Sequence, residues 1–77
     1  MTYFKCIVTF ANGRHKIIRM LREEIAHIVY KFRQMRKSLW RDEEVEVEVG
    51  GVKLCLNECL KMKFFNEYTG EEFLTLA

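Results

Sequence analysis

The sequence predicts an α+β domain in which one amphipathic helix packs on one face of a mainly antiparallel sheet of four to six strands, in the order β-β-α-β-β-β. Three observations carry that prediction. Apolar and polar residues alternate near both ends of the chain, as half-buried strands require. The apolar period lengthens to three and four in the middle, as a helix face requires. Glycine-bearing turn signals separate the alternating runs.

The first run, residues 3–10, reads Tyr-Phe-Lys-Cys-Ile-Val-Thr-Phe. Phe4, Cys6, Val8 and Phe10 share one face, and Tyr3, Lys5, Ile7 and Thr9 share the other. Asn12-Gly13 follows, a hairpin signal because both residues tolerate the positive φ of a type I′ turn. The return strand is expected from Arg14 to about Arg19. Across residues 21–39, Leu21, Ile25, Ile28, Phe32, Met35 and Leu39 recur in steps of three and four. They fall within a helical stripe roughly 80° wide. Glu23 and Glu24 at its start and Arg36 and Lys37 near its end suit the helix dipole. No Ser, Thr, Asp or Asn stands at the start to cap it.

Period two returns over 44–66. Val45, Val47 and Val49 alternate with Glu44, Glu46 and Glu48, and Gly50-Gly51 then turns the chain into Val52, Leu54 and Leu56. That turn sets Val49 opposite Val52, Glu48 opposite Lys53 and Val47 opposite Leu54. A further strand, Leu60–Phe64, is expected beside it, with Leu60, Met62 and Phe64 facing Leu56, Leu54 and Val52. Lys53 would then face Lys63, and Cys55 would face Lys61, completing a ladder of opposite charges with the glutamates. Glu72–Leu76 is read as a short sixth strand or a frayed end. The expected core is Phe4, Cys6, Val8, Phe10, the helix stripe, the three valines, Val52, Leu54 and Leu56.

Seventy-seven residues make one small domain, 1–77, without room for a two-domain cleft. Hydrophobic residues at 49% are enough to offset chain entropy, which excludes general disorder. No segment approaches the length of a membrane span, and Met1–Lys5 lacks the features of a signal peptide. Three cysteines, an odd count, argue against a disulfide framework and for a reducing, cytoplasmic setting.

The residue types for catalysis are sparse: one Ser (Ser38), one Asp (Asp42) and two His (His15, His27). A Cys6–His15 pair could form only across the first hairpin, and Cys6 reads as core. Cys55 and Cys59 form a single pair at an atypical spacing, short of a four-ligand zinc set. No phosphate-binding glycine motif occurs. The chain is therefore not expected to be an enzyme, and no cofactor, metal, membrane or small-molecule substrate is expected.

Charge is the informative feature. Residues 1–41 carry ten Lys/Arg and two Asp/Glu, whereas residues 42–77 carry three and nine, so the two parts carry +8 and −6. The helix side opposite the stripe presents Tyr30, Arg33, Lys37 and Arg41, with Trp40 at the border. Arg14, Lys16, Arg19 and Arg22 extend that charge along the second strand and into the helix. Cations beside exposed aromatics are the chemistry of phosphate and base contact. Tyr3, Ile7 and Phe65 are expected on the open sheet face, where a cluster would suit dimerisation or partner docking.

The total of +2 is low for a dedicated nucleic-acid domain, and the acidic half repels phosphates unless it points away. The first expectation is accordingly a small non-catalytic protein-binding module, regulatory or inhibitory, meeting a protein partner or a second copy. The alternative is a nucleic-acid-binding domain using the basic helix face.

Overall fold

The computed structural model describes residues 2–37 and 43–77. It is α+β, and its elements follow the expected order: β1 (Tyr3–Phe10), β2 (His15–Leu21), α1 (Arg22–Lys37), β3 (Glu46–Val49), β4 (Val52–Cys55), a 3-10 turn (Leu56–Glu58), β5 (Cys59–Asn66) and β6 (Glu72–Leu76). Four strands form one antiparallel sheet in the order β2-β1-β5-β6, and β3 with β4 forms a separate hairpin. Among the described residues, no helix is long and apolar enough to cross a membrane.

One core joins these parts. The sheet contributes Cys6, Val8, Ile18, Met20, Met62, Phe64 and Leu76 from a single face. The helix contributes Ile25, Ile28 and Phe32, and the hairpin contributes Val47, Val49 and Leu54. The helix and the hairpin thus lie side by side over one face of the sheet, and among the described residues nothing covers its other face, the bare face. No polar or charged side chain among the described residues is buried.

The first turn differs from expectation. Asn12 has no positive φ; only Gly13 does, at 85°. Gly13 N–H donates to Phe10 O at 2.9 Å, and Phe10 N–H donates to Arg14 O at 2.8 Å. This is a three-residue loop closed by a glycine bulge in place of the two-residue turn. β2 runs on to Leu21, the partner of Tyr3, so Leu21 ends a strand half-buried instead of opening the helix stripe. Leu39, the stripe's last member, lies outside the described residues.

The helix start has a cap of another kind. Glu24, three residues into the helix from Leu21, accepts the Leu21 backbone N–H at 3.0 Å through Oε1. That is the reciprocal half of a capping box, supplied without a Ser or Thr. Its Oε2 accepts the Gly50 N–H at 2.7 Å, which pins the tip of the β3–β4 hairpin to the helix. At that tip Gly50 and Gly51 have φ of 56° and 75°, the double positive φ expected of the turn. The pairing of Val49 with Val52, Glu48 with Lys53 and Val47 with Leu54 follows.

The largest correction concerns β5. It does not pair with β4, so Lys63 does not face Lys53 and Lys61 does not face Cys55. Instead β5 runs between β1 and β6, with Cys6 opposite Phe64, Ile7 opposite Lys63 and Val8 opposite Met62. The 3-10 turn at Leu56–Glu58 redirects the chain, and Ala11 N–H donates to Glu58 O at 2.8 Å as β5 begins. Length favours this outcome: β5 and β1 each have eight residues to pair, whereas β4 has four. Ile18, Met20, Cys59, Met62, Phe64 and Leu76 thereby join the core beyond the expected set.

Candidate functional site

Two surfaces gather basic and aromatic side chains, and they face in opposite directions. The first is the outer side of α1. Tyr30, Arg33 and Lys37 are exposed there, with Gln34 Nε2 donating to the Tyr30 hydroxyl at 2.8 Å. Arg36 instead turns inward, over the Phe32 ring at 4.9 Å and towards Leu60 O at 3.3 Å. Trp40 and Arg41, expected to extend this surface, lie outside the described residues. Arg14 is exposed beside the first turn, its N–H held by Asn12 Oδ1 at 2.9 Å. Lys16 is exposed near the start of β2 on the core side, opposite Val8. Arg22 opens the helix and lines a depression with Phe4, Ile25, Asn66, Glu71 and Phe73.

Arg19 belongs elsewhere. It alternates with the buried Ile18 and Met20, so it stands on the bare face of the sheet, away from the helix. That bare face is the second surface. Its first row sets Arg19, Lys5, Phe65 and Glu72 side by side across β2, β1, β5 and β6. The next row sets Ile17, Ile7, Lys63 and Thr75, and a third sets His15, Thr9 and Lys61. Tyr3, two residues before Lys5 on β1, shares this face. Ile17 is 63% exposed, unusual for an isoleucine in a strand and in contact distance of Ile7 across the ladder.

The rings and cations of this face are interleaved. The Arg19 guanidinium carbon lies 4.4 Å from the Tyr3 ring centre, and Lys5 Nζ lies 5.3 Å from that of Phe65. Arg19 also meets Glu67 in a two-pronged ion pair, at 2.6 and 3.0 Å. The hydrogen bond and charge of Arg19 hold the Glu67 carboxyl below its ordinary value. Lys63 pairs with Glu72 at 3.7 Å. Four cations, Lys5, Arg19, Lys61 and Lys63, therefore share the face with two carboxylates.

Two other acidic residues of the second half are placed differently. Val47 and Val49 point from β3 into the core, so Glu46 and Glu48 point outward on the layer opposite the sheet.

The reactive side chains do not converge. Cys6 is fully buried on the core face, whereas His15 stands on the bare face with Nδ1 3.1 Å from Thr9 Oγ1. The sheet itself separates that pair. Burial pushes the Cys6 thiol up to about 12 and the Cys59 thiol up to about 11, the opposite of what a nucleophile needs. Ser38 and Asp42 lie outside the described residues. Among the described residues, no three His, Cys, Asp or Glu side chains gather as a metal-ligand set. The Arg22 depression and a second, between Arg33, Lys37 and the end of β6, both flank the helix and not the bare sheet face.

Sequence reasoning placed Tyr3, Ile7 and Phe65 on the open sheet face, and put Lys61 and Lys63 there too, but as members of a ladder with Glu46 and Glu48. The expected pairing of β5 with β4 assigned the two lysines to that ladder. Counting by twos from Phe65 puts both on its face, so the missing information was the neighbouring strand. Comparison with protein-family models, curated proteins and solved structures finds no match to this chain.

Proposed function

We propose that this chain is a non-catalytic binding module that docks an anionic partner on the bare face of its four-stranded sheet. The observation that carries this reading is the composition of that face: four cations against two carboxylates, set around the exposed Ile17 and its half-buried partner Ile7. Both carboxylates already have cations, whereas Lys5 and Lys61 form no ion pair among the described residues. A partner carrying negative charge completes those two lysines and covers the isoleucines together. A second copy of the same face would set cation against cation, which argues against a sheet-to-sheet homodimer.

The outer helix face supplies a second reading, because residues 25–37 contain no Asp or Glu while Arg33 and Lys37 are exposed. Paired charge reversals separate the two. In a binding assay against a sulfated polysaccharide at low salt, Lys5→Glu with Lys61→Glu should weaken retention about tenfold or more. Arg33→Glu with Lys37→Glu should change it little. The converse pattern assigns the site to the helix and removes the sheet face from the account.

A further inference from the structure

We infer that the bare sheet face takes a single strand of nucleic acid, with bases stacked on Tyr3 and Phe65 and phosphates met by Lys5, Arg19, Lys61 and Lys63. This rests on the reading of that face as the docking surface and adds the class of ligand.

The two rings stand on adjacent central strands. Lys5 lies directly opposite Phe65, so Tyr3, two residues before Lys5, is the diagonal neighbour of Phe65. Such neighbours are about 7–8 Å apart, close enough for consecutive splayed bases. Each ring has a cation already at its edge or face, Arg19 at Tyr3 and Lys5 at Phe65. A base that stacks on Phe65 therefore brings its phosphate to Lys5, which has no ion pair among the described residues, and one on Tyr3 brings its phosphate to Arg19, in place of Glu67. Lys63 and Lys61 continue the line along β5, and the glutamates of β3 point away on the opposite layer.

One feature favours nucleic acid over an acidic protein segment. β1 and β5 are paired on both sides, so neither offers a free backbone edge for an added strand. A duplex keeps its bases inside the stack and could use only the cations.

The test is fluorescence polarisation with labelled oligo-dT and oligo-rU of about 12 nucleotides, a labelled duplex and labelled polyglutamate. Three to four phosphate contacts predict that single-strand affinity falls roughly 20- to 50-fold between 50 and 200 mM salt. Tyr3→Leu and Phe65→Leu should each weaken single-strand binding about tenfold and leave polyglutamate binding unchanged. Tyr3→Phe and Phe65→Tyr should retain it, which distinguishes stacking from loss of fold. Tighter binding of one oligonucleotide assigns the strand to DNA or to RNA. If polyglutamate binds while the oligonucleotides do not, or if the leucine variants bind both alike, the docking face stands and the nucleic-acid assignment is overturned. If no probe binds at low salt, the docking face falls with it.

Discussion

Substituting alanine at Gly50 tests how the hairpin is fixed to the sheet. A Cβ built there would stand 2.3 Å from Arg19 O and 2.7 Å from Ile18 Cγ2, inside the 3.0 Å that such atoms keep. Its φ of 56° adds a left-handed strain worth about 1–2 kcal/mol for an alanine. The contact with backbone forces the tip off β2, at an overpacking cost of about 1–3 kcal/mol. Moving the tip also strains the 2.7 Å bond from Gly50 N–H to Glu24. Gly51 is the internal control. Its φ is 75°, but a Cβ there meets nothing within 4 Å, so only the left-handed strain applies. Gly50→Ala should therefore cost about 2–5 kcal/mol and Gly51→Ala about 1 kcal/mol. Urea titration and thermal unfolding read this directly, with the Gly50 variant melting roughly 10 °C or more below wild type. Equal midpoints for the two variants would refute the argument that the tip is wedged against β2.

Glu24→Ala should cost about 2–4 kcal/mol, because it orphans two backbone N–H groups, and Glu24→Gln about half that, since an amide can accept only one of them. Combining Glu24→Ala with Gly50→Ala should cost less than the sum in a double-mutant cycle, because both act at one tether. Native-state alkylation near pH 8, followed by mass spectrometry, should label Cys55 well before Cys6 and Cys59, which are buried. The two buried thiols also set an alkaline limit. Their values in the folded chain, about 12 and about 11, lie above the ordinary 9.0, so their contribution is complete below pH 9 and is lost as pH rises through 11 and 12. Chemical denaturation across that window should show stability declining, and Cys6→Ala should flatten the decline.

Much of the fold was legible because local signals agreed. The stripe through Ile25, Ile28 and Phe32 has no strand-like alternative, and Gly50-Gly51 between matched valines admits one register. The neighbour of β5 was not legible. The run Leu60–Phe64 alternates equally well against β4 and against β1, and alternation defines faces without naming a partner. Only the 3-10 turn at Leu56–Glu58, which carries no strong sequence signal, decides between them. That one ambiguity hid the candidate site. With Lys61 and Lys63 spent on glutamates, the open face offered no free cation beside Tyr3, Ile7 and Phe65. With β5 beside β1 it becomes a cationic, aromatic surface. Arg19 illustrates the same limit: its charge was evident, but its separation from Arg33 and Lys37 by the thickness of the sheet was not.

Proton–nitrogen correlation NMR of the labelled protein, titrated with unlabelled oligo-dT at low salt, locates the ligand without a mutation. The account predicts progressive shifts at Tyr3, Lys5, Ile7, Ile17, Lys63 and Phe65, with Tyr30, Arg33 and Lys37 unmoved. Shifts confined to the helix residues, with the sheet face silent, would contradict it.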